Sequence, residues 1–185
     1  MTDDSTWADK LQGGDQAAFE ELFRRYYPDL VAFATRLTGA KDVAEEIVQD
    51  VFLSMWRHRE RGDATPDSIS AYLFGAVRKT ATSYLRHAHV EKRWRDRMGS
   101  GEDIAMITPS PAADSQTRFN EVVVAARVAI NELPPRCRQA FLLRRQHGLS
   151  YAEIAQVMGI AEKTVEVQIG AALRTLRARL AKFYD

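Results

Sequence analysis

Residues 148–169, GLSYAEIAQVMGIAEKTVEVQI, read as two helices hinged on a glycine. Ser150 and Glu153 have the S-x-x-E spacing of a capping box, in which each side chain satisfies the other residue's orphan backbone N–H. The helix they open turns Ile154, Ala155 and Met158 inward. Gly159 marks a turn, and a longer helix is predicted from about Glu162, with Val165, Ile169, Ala172 or Leu173, Leu176 and Leu180 as its buried stripe. Two helices joined by a short glycine turn describe a helix-turn-helix, whose second helix enters the major groove of duplex DNA. Its outward positions are Lys163, Glu166, Val167, Gln168, Ala171 and Arg174. Several can hydrogen-bond base edges, and Val167 or Ala171 can touch a thymine methyl. A helical hairpin packed on its neighbours has the same spacing, so the reading needs support from the rest of the chain.

Upstream, a helix carrying Ala140, Phe141, Leu142 and Leu143 is expected to start at Pro135, which suits a first helical turn, and to end at Gly148 as a left-handed C-cap. A helix through Val122, Ala126, Val128 and Ile130 precedes it and stops before Pro134. Residues 91–117 lose all periodicity, with Gly99-Ser100-Gly101 followed by Thr108-Pro109-Ser110-Pro111, and read as a flexible linker. N-terminal to it, Phe19, Leu22, Phe23 and Tyr26, then Leu30, Phe33, Ala34 and Leu37, show helical spacing, with Pro28 separating two short helices or kinking one. Asp42 can cap a third helix with Val43, Ile47, Val51 and Met55 inward. A fourth is expected from Asp67 or Ser68 to about Arg86, carrying Ile69, Leu73, Ala76, Val77, Thr80, Ala81, Tyr84 and Leu85. No repeat or strand is evident. The expected fold is all-α: a four-helix domain over 1–90, a linker over 91–117 and a helix-turn-helix domain over 118–185.

Composition agrees. The 185 residues allow one ordinary domain or two small ones, and 45% hydrophobic with 28% charged side chains suits packed cores. Residues 1–90 hold 11 basic and 14 acidic side chains, whereas 121–185 hold 10 and 6. That excess suggests that the C-terminal part faces a polyanion, although an Arg-rich last turn (Arg174, Arg177 and Arg179, then Lys182) also complements the helix dipole. The lone Cys137 forms no internal disulfide, the start MTDDSTWADK has no apolar h-region, and no run approaches the roughly 18 apolar residues of a membrane span. A cytoplasmic protein is expected, without membrane insertion.

Two further features bear on function. Arg78, Lys79, Arg86, Lys92, Arg93, Arg95 and Arg97 interleave with Tyr72, Phe74, Tyr84 and Trp94, a pattern suited to single-stranded nucleic acid, where cations track phosphates and rings stack on unpaired bases. Tyr72 and Tyr84 as core residues, with the cations on a solvated surface, is the other reading. The outer side of the Asp42 helix offers Asp42, Glu45, Glu46, Gln49 and Asp50 beside Leu53 and Trp56, either a solvated acidic face or a docking surface for another protein.

In this order, these features resemble the extracytoplasmic-function group of bacterial sigma factors, the small two-domain type. The resemblance rests on 42-DVAEEIVQDVFL-53 with Trp56, on Ala71-Tyr72-Leu73-Phe74 through Tyr84-Leu85-Arg86, and on Leu133-Pro134-Pro135-Arg136 through Gly148-Leu149-Ser150-Tyr151-Ala152-Glu153-Ile154-Ala155. It implies an alternative sigma factor without catalytic groups or cofactors. The first domain would dock on the clamp helices of the polymerase largest subunit through Asp42, Glu45, Glu46, Gln49, Asp50 and Leu53, and hold the melted minus-ten element through Tyr72, Arg78, Lys79, Ser83 and Arg86. Residues 91–117 would thread toward the polymerase active centre, and Leu133–Arg136 with the following helix would lie near the flap of the second-largest subunit. The second domain would read the minus-thirty-five element as duplex through Lys163, Thr164, Glu166, Val167, Gln168, Ala171 and Arg174. Members of the group are commonly held by an anti-sigma factor. The chain departs from the common pattern at Gly75, Lys79 and Ser83, at Ala161 where a Ser cap is frequent, and at Glu166 and Ala171, which replace basic residues.

A stand-alone helix-turn-helix regulator binding an operator would share the C-terminal domain but leave the acidic helix unexplained. An enzyme is not expected: His58, His87, His89 and His147 form no H-E-x-x-H, and Cys137 has no nucleophile signature.

Overall fold

A computed structural model describes residues 7, 10, 11, 13–59, 68–97 and 118–183, leaving out the side chains of 90–97, 118–120 and 182. Of the linker expected over 91–117, residues 91–97 are helical instead, a stretch without Gly or Pro to stop the preceding helix; residues 98–117 and the side chains of Lys92, Arg93, Trp94, Arg95, Arg97 and Lys182 lie outside the described residues. The chain divides into two compact units, Met1–Thr108 and Pro109–Asp185.

The first unit is built on α1 (Gln16–Thr38), α2 (Lys41–His58) and α3 (Ile69–Arg97), each packed on the other two. Asp15 caps α1, its carboxylate accepting from the Ala18 N–H at 3.1 Å, and Gly39 ends it at φ 78°, the left-handed geometry that glycine adopts without Cβ strain. Pro28 does not divide this helix. It lies on the solvent side, and the roughly 3 kcal/mol that an internal proline costs is offset by burial of Leu22, Leu30 and Phe33 around it, about 1.5–3 kcal/mol for each large side chain. Among the described residues three long helices therefore form this unit, with Pro28 inside one of them.

Ala40, not Asp42, is the N-cap of α2, and Asp42 occupies the first turn, where a carboxylate complements the dipole. Ser68 caps α3 through its Oγ, which accepts from the Ala71 N–H at 3.2 Å. Phe52, Phe74, Leu22, Leu30 and Leu73 are almost wholly buried, and the Phe33 and Phe74 rings meet edge-to-face at 5.3 Å. Trp7 and Leu11 also join the core, well upstream of where the sequence pattern begins to repeat.

The second unit holds α4 (Arg118–Asn131), α5 (Pro135–Arg145), α6 (Tyr151–Met158) and α7 (Glu162–Leu180), followed by a 3-10 turn, Ala181–Phe183. The other three helices all pack on α7. Val165, Ile169, Ala172 and Leu176 form its buried stripe, while Leu173 is 38% exposed, which decides the alternative at 172/173 for Ala172. On α4 the core side is Ala129, with Leu133 just beyond the helix, whereas Val128 faces outward. Arg138 donates to the carbonyls of Asn131 and Leu133, closing the turn between α4 and α5. Helix α5 ends at Gln146; Gly148 is left-handed as expected but two residues beyond that cap, which lets the Leu149 N–H return to the Leu143 carbonyl.

Candidate DNA and polymerase interfaces

The helix-turn-helix is formed by α6 and α7. Ser150 Oγ accepts from the Glu153 N–H at 3.2 Å and Glu153 Oε2 from the Ser150 N–H at 2.6 Å, so both halves of the capping box are present. Gly159 closes α6 at φ 64°, and α7 starts at Glu162, directly after an Ala161 cap that supplies no side-chain bond. Opposite the buried stripe, Lys163, Thr164, Glu166, Val167 and Arg174 are exposed, Val167 at 59%. Gln168 and Ala171 are half-buried and stand at the edge of this face. Lys163 Nζ lies 2.7 Å from Glu166 Oε2. Arg179 pairs at 3.0 Å with Glu132, in the turn just beyond α4, so this part of the basic tail ties the unit together.

In the first unit, the buried positions of α3 end at Ala81, and none of the described residues 82–89 is buried. Tyr72, Lys79 and Arg86 recur at intervals of seven, which on a straight helix drift only about 20° per step, so they form one row. Ser83 stands half-exposed within that row, and Arg78 is half-exposed about 100° round the helix from Lys79. Tyr72 and Tyr84 are 39% and 43% exposed, so neither is a core residue.

The outer face of α2 presents Asp42, Glu46, Gln49 and Asp50 to solvent, with Leu53 49% exposed. Glu45 is half-buried and pairs with Lys41 at 3.3 Å. Trp56 is half-buried against Phe19, ring centroids 4.8 Å apart. A surface recess of about 220 Å³ runs between α1 and α2, lined by Phe19, Phe23, Gln49, Phe52 and Leu53. Phe19 and Phe23 read from sequence as core residues. Their place at the margin of the apolar stripe, on either side of the wholly buried Leu22, is the signal that could have assigned them to this surface.

Among the described residues no three His, Cys, Asp or Glu side chains gather as a metal site, and no helix is long and apolar enough to cross a membrane.

Family comparison matches residues 22–90 to sigma-70 region 2 and residues 124–176 to sigma-70, region 4. The chain is 30% identical over 176 residues to the RNA polymerase sigma factor CarQ of Myxococcus xanthus, covering 94% of this chain and 95% of that protein. It belongs to the extracytoplasmic-function sigma factors of the sigma-70 family. The ECF sigma factor SigL of Mycobacterium tuberculosis is likewise 30% identical, over 90% of this chain and 93% of its own. In fold the chain is similar to the sigma factor RpoE of Bartonella quintana, solved with the anti-sigma factor NepR: TM-score 0.61 at 24% identity, over 88% of this chain and 96% of that one. As an ECF sigma factor it is an alternative sigma factor, not a stand-alone operator-binding regulator.

Proposed function

We propose that the two units divide promoter recognition between duplex and single strand. Helix α7 enters the major groove of the minus-thirty-five element, where Lys163, Thr164, Glu166, Val167, Gln168 and Ala171 meet base edges and Arg174 meets the backbone. Helix α3 holds the melted minus-ten strand: Lys79 and Arg86 track phosphates, Tyr72 offers a ring to an unstacked base, and Arg78 and Ser83 supply hydrogen bonds alongside. Helix α2 docks on the clamp helices of the polymerase largest subunit through Asp42, Glu45, Glu46, Gln49, Asp50 and Leu53. Leu133–Arg136 and α5 lie near the flap of the second-largest subunit. The functional boundaries are 1–90 for docking and melting and 118–185 for duplex reading, with 91–117 passing toward the active centre. The protein acts in the cytoplasm as a specificity subunit without catalytic groups of its own, and an anti-sigma factor restrains it, as NepR partners RpoE in the similar structure.

One observation carries this reading. The Tyr72–Lys79–Arg86 row stands exposed in the same chain as a complete helix-turn-helix. A protein that only reads duplex has no use for an aromatic and basic helix of that kind. A gel shift on promoter DNA, with and without core polymerase, tests it: tight binding that requires core is expected, and equally tight binding by the protein alone would overturn it.

A further inference from the structure

Glu166 poses a problem on the face that α7 offers to DNA. Its carboxylate lies in the second turn of the helix, and the residues nearest a recognition helix's N-terminus are those that reach base edges. Phosphates repel a carboxylate there, so it is accommodated in the groove only where it finds a donor. The donors on major-groove edges are the N4 amino group of cytosine and the N6 amino group of adenine.

Lys163 narrows the choice. Its Nζ is 2.7 Å from Glu166 Oε2, and the two side chains are 79% and 55% exposed, so α7 presents a donor and an acceptor side by side. A G·C pair presents the complementary edge: guanine O6 and N7 accept, cytosine N4 donates, and O6 and N4 are hydrogen-bonded to each other, hence about 2.9 Å apart. An A·T pair also sets a donor beside an acceptor. Its thymine O4, however, is flanked by a methyl group, a poor neighbour for a strongly hydrated ammonium.

We propose that the Lys163–Glu166 pair reads a single G·C base pair of the minus-thirty-five element as one unit, Lys163 donating to guanine O6 and N7 and Glu166 accepting from cytosine N4. Glu166 is then a specificity-determining residue. The inference rests on the placement of α7 in the major groove. Because the pair is neutral overall, it adds sequence preference with little counterion release.

The test uses holoenzyme assembled from the full chain and core polymerase, on duplexes carrying all four base pairs at every minus-thirty-five position. The wild type is expected to prefer G·C at one position by about tenfold over A·T. Glu166→Ala should lower that ratio severalfold at that position alone, the remainder being held by Lys163 on guanine, with the other preferences unchanged and the helix content by circular dichroism intact. Unchanged preferences throughout would overturn the inference and make the pair a surface ion pair. A uniform fall at every position would overturn it in favour of a structural role. A wild type without any minus-thirty-five preference would instead overturn the placement of α7 itself.

Discussion

The Arg59 guanidinium lies 4.2 Å over the ring of Trp56 and donates to the Trp56 carbonyl at 2.7 Å. One arginine thus closes the C-terminal end of α2 and holds the tryptophan against Phe19. Leu53, a turn earlier, keeps its exposure and borders the recess between α1 and α2. The ring belongs to the fold, whereas the leucine stays at the surface. Arg59→Ala should lower the stability of the first unit by about 1 kcal/mol, the sum of a partly exposed cation–π contact and a charged hydrogen bond. Thermal unfolding followed by tryptophan fluorescence checks this, and an unchanged midpoint would count against it.

Gln49→Ala combined with Asp50→Ala should weaken binding to core polymerase at least severalfold without changing the unfolding midpoint. Both side chains are exposed on α2, and no described core residue depends on them. Competition against a labelled sigma factor for core measures it; unchanged affinity would remove the docking assignment.

Arg174 and Arg179 should separate cleanly. Arg174 is exposed with its guanidinium lying back toward Gly170 on the outward side of α7, whereas Arg179 is tied to Glu132. In holoenzyme binding to promoter DNA, Arg174→Ala should reduce the log–log salt slope by about 0.9, the value of one phosphate contact. Arg179→Ala should leave that slope alone and cost at most about 1 kcal/mol of stability, as an exposed ion pair does. A flat slope for Arg174→Ala would make it structural.

Ser150→Ala removes one half of the capping box of α6 and should cost about 1 kcal/mol in the second unit. Urea unfolding of the full chain, followed by circular dichroism, reads it. An unchanged midpoint would show that the capping box does not hold α6 in place.

The proposed stacking of the Tyr72 ring on unpaired bases predicts that Tyr72→Ala slows promoter opening while leaving closed-complex binding nearly unchanged. Stopped-flow fluorescence of a 2-aminopurine in the minus-ten element distinguishes the two steps. Equal losses in both would reassign Tyr72 to duplex contact or to stability.

Much of this architecture is legible in the sequence because it depends on local chemistry. The capping box at Ser150, the left-handed Gly159 and the three-and-four spacing of Val165, Ile169 and Leu176 each follow from a few adjacent residues. What local chemistry misreads depends on packing elsewhere. Pro28 reads as a break or a kink, and the buried residues on either side of it hold α1 continuous. The end of α3 near Arg86 was expected from the loss of apolar periodicity, but the helix runs to Arg97 because residues without a breaker continue a helix without needing a buried face. Trp7 is an isolated apolar residue in an acidic stretch, with no period to announce it. At the candidate surfaces, residue type and spacing identify the outward positions of α7, but not that Lys163 and Glu166 meet or that Arg179 is engaged by Glu132.

Run-off transcription on genomic DNA of the host, with purified bacterial core polymerase and with or without this protein, tests the division of promoter recognition most directly. Initiation at new sites that share a duplex element upstream and a melted element about the start, and only when the protein is added, is the result expected. No initiation and no comigration with core, together with selection of a duplex sequence by the protein alone, would contradict it.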